Sequence, residues 1–398
     1  MTNAIKVGVI AAVLLVTATI AGWDDIEWPV YTGVALLVIA YVWSRSSLVA
    51  IGFERTLDAD RVFAGDLVRE RFRVTNHSRI PRNWILMRDE SSLPGYDPSR
   101  SVRVGSRDET RWTSELMAER RGRFRLGPIT LESGDPFGLF DTRMHIEQTH
   151  ELTVYPRIVE LPERTSPGGD LSGASKSMPG RSLSSPIIRS VRQYVTGDPW
   201  NQIAWRASAR HTTLLVKEFD PDPISDEWIF LDLDADAERT AKSTTEYAIS
   251  LAASFALEWL TTGRDVGLLV NRSIPAIVEA DAGDRQRLRI LETLAVVEPF
   301  GEADPSELIA RYATKFSRAT GLVVISTGDG SGFVAPLRHL LHHSVPLVIV
   351  AVSSPDSAGG VHDHWLDVEA EGVKVMRIGE DGDHESPSMV ATLSERSA

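Results

Sequence analysis

The chain has 398 residues, with 42 Lys and Arg against 55 Asp and Glu and a net charge of −13. That balance argues against a general nucleic-acid binder, which needs a basic face to neutralise phosphates. No cysteine is present, which excludes a disulfide framework, a thiol nucleophile and a cysteine-ligated zinc site. The length predicts two soluble domains plus extras.

Two apolar runs open the chain. Ile5 to Gly22 carries one charge, Lys6, and Pro29 to Trp43 carries none. Each approaches the length of a membrane span. The acidic stretch Asp24-Asp25-Ile26-Glu27 lies between them, and Trp23, Trp28, Tyr31, Tyr41 and Trp43 lie near their ends. Lys6 precedes the first run; Arg45 and Arg55 follow the second. The positive-inside rule then predicts a transmembrane hairpin over 5–48 in the cell membrane, with both soluble domains cytoplasmic. A cleaved signal peptide ending near Thr19 to Gly22 is the alternative reading of the first run.

Residues 49–162 alternate apolar and polar positions in short runs. In "LVRERFRVTN" Val68, Phe72 and Val74 share one face, and the charges are expected on the other. Turn signals such as Leu93-Pro94-Gly95 and Gly134-Asp135-Pro136 separate the runs. The pattern predicts an antiparallel, sandwich-like β domain. Arg120, Arg121, Arg123 and Arg125 read as a solvated strand face, the alternative being a patch for anionic lipid or an acidic partner.

Residues 163–187 are rich in Ser, Gly and Pro and predict a loop. Residues 188–222 follow, with a Gly-Asp-Pro turn, a short helix from Trp200 to Arg210 and a strand from Leu214 to Phe219. The spaced pattern Arg192, Tyr194, Gly197, Asp198, Ile203, Trp205, Ala209 and Arg210 resembles the signature of domain-of-unknown-function family 58. Arg120 to Phe140 and Val154 to Pro156 also resemble that family, as does the general layout. Asn201 departs from it, standing where the family usually has arginine. Two roles are open for this segment. One is a structural brace, with Trp205 buried and Asp198 paired to an arginine. The other is a docking face for a partner.

From residue 223 to 398, apolar strands alternate with helices, which predicts a doubly wound α/β domain. "WIFLDLD" is its first strand, and a long helix ends near Gly263. Further strands are "DVGLLVN", "IPAIVEA", "GLVVIST", "VPLVIVAVS" and "VKVMRIG". In such sheets ligands sit beyond the carboxyl ends of strands, where Asp232 to Asp236 and Ser326 to Asp329 fall. The family resemblance implies a von Willebrand factor A-like fold here. That fold's metal-dependent adhesion site starts with Asp-x-Ser-x-Ser. Asp232 matches its aspartate, Asp234 and Asp236 replace the serines, and Asp329 loosely matches a later aspartate; the middle threonine has no clear counterpart. Three readings of the cluster stay open. It is a solvated strand end with Asp236 as helix cap, a metal site for Mg²⁺ or Ca²⁺ through Asp232, Asp234, Asp236 and Asp329, or a catalytic group.

The function expected is therefore an interaction module or assembly factor, not an enzyme. The resemblance implies a MoxR-type AAA+ ATPase as partner, in a chaperone-like role. The chain itself lacks a Gly-x-x-x-x-Gly-Lys-Ser/Thr phosphate loop. The alternative is a Mg²⁺-dependent phosphohydrolase resembling the haloacid-dehalogenase group, with Asp232 as nucleophile and Asp234 as acid/base. Ser326 or Thr327 would then hold phosphate, and Lys374 and Gly379 to Asp383 would supply the rest.

Overall fold

The computed structural model describes residues 8–9, 12–13, 16, 19, 24–161, 188–195, 200, 203–210, 213–219, 226–233, 242–271, 274–298, 305–317, 319–328, 330, 332–353, 364–370 and 372–379. The expected loop over 163–187 lies outside them. Two compact units divide between Tyr155 and Pro156.

The first unit begins with the helix Asp24–Ser46. The acidic stretch Asp24 to Glu27 is its first turn, not a loop joining two spans. Its last turns pack on protein: Ala40 and Ser44 are buried, Tyr41 meets Phe140 edge-on at 5.6 Å, and Arg82 Nη2 donates to Ser46 O at 2.7 Å. Among the described residues no helix is long and apolar enough to cross a membrane. The expected two-span hairpin is corrected accordingly, and with it the plasma-membrane placement with cytoplasmic domains. Most of the first apolar run lies outside the described residues.

Ten strands from Ile51 to Tyr155 form three small sheets. Ile51–Leu57, Leu67–Asn76 and Glu109–Met117 pair antiparallel in one. Arg82–Asp89 and Ile129–Gly134 are the middle strands of a four-stranded sheet. Two apolar clusters fill this unit, one around Phe72, Ile85 and Leu131, the other around Val68, Leu126 and Val154. Alternation in Leu67–Asn76 buries Val68, Phe72 and Val74, and by the same period it buries Glu70. The expectation that every charge of this strand faces solvent is thus wrong at Glu70. Arg55 Nη2 donates to both Glu70 oxygens at 2.8 Å and lies 3.1 Å from Asp89 Oδ2. Tyr96 Oη also donates to Glu70, at 2.9 Å, and burial pushes its phenol above the usual range.

The second unit is built on a six-stranded sheet. Its order is Ala276–Asp281, Asp265–Asn271, Asp226–Asp232, Thr320–Ser326, Leu347–Ser353 and Lys374–Gly379. All neighbours are parallel except the antiparallel edge strand Ala276–Asp281. The central strand Asp226–Asp232 is buried at six of seven positions, as a strand covered on both faces must be. Trp228 and Phe230 join a cluster with Leu308, Phe316, Phe333, Leu337 and Trp365. Lys242–Thr261, which buries alanines together with Ile249, Leu251, Phe255 and Trp259, packs against the sheet and the helix Gly283–Ala295. Gly267 stands opposite Trp228, and a Cβ there would come within 2.6 Å of the indole. Only glycine lets the ring lie flat on that strand.

At the amino end of the central strand, Glu227 is fully buried and paired with Arg264. Burial outweighs that attraction and pushes its carboxyl up from 4.5 to about 7.

Two outcomes are expected. Removing Glu70 leaves a buried guanidinium with Asp89 as its remaining partner, so Glu70→Ala costs about 3–5 kcal/mol, read as a lower urea midpoint. For Glu227, both states hold the proton below pH 4.5, and between 4.5 and about 7 only the folded state does. Stability therefore falls as pH rises through that window. Glu227→Gln should remove this slope from urea midpoints measured between pH 4.5 and 8.

Candidate functional site

Asp232, Asn271 and Ser326 end three adjacent parallel strands at the same register. Asn271 Nδ2 donates to Asp232 Oδ1 at 2.7 Å, and Ser326 Oγ donates to Oδ2 at 2.8 Å. Gly328 N donates to Ser326 Oγ at 3.1 Å, and Thr327 N donates to Asp232 O at 3.4 Å. Asp232 is 3% exposed. The sheet thus ends in a buried hydrogen-bonded row at the edge where such sheets bind ligands.

The structure brings Asp232 and Ser326 together. Asp234, Asp236 and Asp329 lie outside the described residues. Asn271 was not singled out from the sequence, although "DVGLLVN" shows its signal: an apolar strand that ends in a polar side chain. Both oxygens of Asp232 act as acceptors, one for the Asn271 amide and one for the Ser326 hydroxyl. Among the described residues no group of three or more His, Asp or Glu is placed to hold a metal. The acidic side chains that do gather are at the opposite end of the sheet. Asp226 pairs in register with Asp265, and burial, with Asp281 and Asp226 nearby, raises the Asp265 carboxyl.

The signature segment forms a second constellation. Strands Ile188–Gln193 and Leu215–Phe219 pair antiparallel. Ile203 bridges to Val216, and Ala204 N donates to Leu215 O at 2.8 Å. Leu215 N donates to Ser208 Oγ at 2.8 Å. Ile203, Ala204 and Val216 are buried. The helix is shorter than expected, Trp205–Ser208 only, because Ile203 is spent on the bridge. Trp205 is 58% exposed and Trp200 68%. The expectation of a buried Trp205 is therefore wrong. Its apolar neighbours Ile203 and Ala204 take the inner positions and turn the indole outward. Tyr194 meets Trp200 at 6.2 Å between ring centroids. Arg192 Nη1 donates to Gln193 O at 3.2 Å. Gly197 and Asp198, and with them the expected aspartate–arginine brace, lie outside the described residues. Arg206 and Arg210 are exposed.

Residues 190–356 match the family described as "Protein of unknown function DUF58". This stretch is similar to the DUF58 family. It contains both constellations, the strand-end row and the exposed aromatic segment. The chain is also similar to "Uncharacterized protein YeaD" of Bacillus subtilis (strain 168), 26% identical over 268 residues, which is 65% of this chain and 64% of that protein. The chain thus spans somewhat less than two thirds of that relative's length. Likenesses to solved structures are slight. A CARDB domain from Pyrococcus furiosus, in complex with di-metal ions, is 17% identical with a TM-score of 0.21, covering 26% of this chain and 91% of that one. The alkylpurine DNA glycosylase AlkC of Pseudomonas fluorescens is 9% identical with a TM-score of 0.20, covering 34% of this chain and 41% of that one. Neither likeness extends to fold or function.

Asp232→Ala strands two buried donors, and each such loss costs about 1–3 kcal/mol. The variant should show a clearly lowered urea midpoint. Asn271→Ala, which removes one donor and leaves Ser326 on the carboxylate, should lower it by less.

Proposed function

We propose that this chain is a protein–protein interaction module or assembly factor, and that its partner is a MoxR-type AAA+ ATPase it serves in a chaperone-like role. The observation that carries this reading is the exposure of Trp200 and Trp205 on a segment pinned by buried Ile203, Ala204 and Val216. Large aromatics left in water on a rigid support are the usual anchors of protein interfaces. The resemblance to family 58 supplies the partner class. The von Willebrand factor A-like reading of the second unit supports the same role, since that fold offers its strand ends to partners. Burial of Asp232, with both oxygens accepting hydrogen bonds, weighs against a carboxylate nucleophile there.

The test mixes the purified chain with the MoxR-type ATPase of the same source and measures complex formation by analytical ultracentrifugation. Trp200→Ala with Trp205→Ala should weaken the complex at least about tenfold, with the urea midpoint unchanged because both side chains are exposed. A complex indifferent to that double change would remove this face from the interface. Failure of the wild-type proteins to associate would remove the partner.

A further inference from the structure

We infer that the aromatic face of the signature segment recognises an acidic stretch of polypeptide with apolar side chains interspersed. This deepens the docking reading above and rests on it. The argument starts from charge. Residues 188–219 hold five Lys and Arg against two Asp and Glu, inside a chain of net charge −13. The turn that carries Trp205 also carries two of those cations. Ser208 N donates to Ala204 O at 2.8 Å, Ala209 N to Trp205 O at 3.0 Å and Arg210 N to Ala207 O at 3.0 Å. Arg206 and Arg210 therefore stand about one turn apart beside Trp205. Both are exposed, and neither forms an ion pair with a described residue.

Arg69, Arg71, Arg73 and Arg143 are instead paired, to Glu115, Asp58, Glu54 and Glu132. Guanidinium forks left open beside indoles suit carboxylates flanked by apolar groups, since Arg takes carboxylates in bidentate fashion and Trp supplies apolar area at little entropic cost. The chain's net charge of −13 disfavours a long polyphosphate chain, which needs an extended basic track. An acidic peptide needs only local contact.

Fluorescence anisotropy on the full chain tests this. The probes are a labelled peptide of alternating Glu and Leu with a central Phe, its counterpart with Gln for Glu, and an oligo-dT of similar length. The acidic peptide should bind, more weakly as salt rises. Arg206→Glu with Arg210→Glu, and Trp205→Ala separately, should each raise its Kd at least about tenfold. The inference is overturned if the Gln peptide binds equally well, if charge reversal leaves the Kd unchanged, or if oligo-dT binds more tightly. No peptide binding while the ATPase complex still depends on Trp200 and Trp205 overturns the inference and leaves the docking reading standing. Indifference of that complex to both tryptophans sinks the docking reading itself.

Discussion

The second unit depends on what happens at the end of one strand. Asp232 closes an apolar run that is buried on both faces, and its carboxylate is carried into the interior with it. A buried carboxyl group must find hydrogen-bond partners or it destabilises the fold. Asn271 and Ser326 supply them, one from each flanking strand, at the same register. The same bonds that satisfy the carboxyl oxygens also fix the relative register of three central strands. A slip of one residue would turn the polar termini to the wrong face and strand the carboxylate.

The first unit solves a related problem with a cation. Arg55 lies over the Phe72 ring in one apolar cluster, while Tyr96, packed against the other, reaches the same Glu70. The polar layer thus touches both clusters. Its members pair only in this arrangement, which penalises alternative packings of strands whose apolar residues are otherwise interchangeable.

Much of the second unit was legible because its signals are local. Six apolar strands, a long helix closed at Gly263 and the placement of Asp232 beside Ser326 follow from period and from strand ends. What was not legible depends on distant partners. Glu70 sits in a strand whose visible pattern is charge outside, and only Arg55, fifteen residues earlier, explains why it is inside. The acidic stretch Asp24 to Glu27 looks like a hairpin loop between apolar runs, yet it starts a helix whose far end rests on the β unit. Trp205 has the composition of a core anchor, but Ile203 and Ala204 compete for the same interior and win it. The signature motif names residue types without saying which of them face water.

The strand order has a consequence for synthesis. The central strand pairs on one side with Asp265–Asn271 and on the other with Thr320–Ser326, and Asp232 and Ser326 are 94 residues apart. On a ribosome adding about 5–20 residues per second, the apolar edge of "WIFLDL" waits roughly 5–20 seconds for its second neighbour. During that interval an open β edge of high apolar content is offered to other nascent chains. The stretch from which the sheet is organised is therefore also open to aggregation until the later strands emerge.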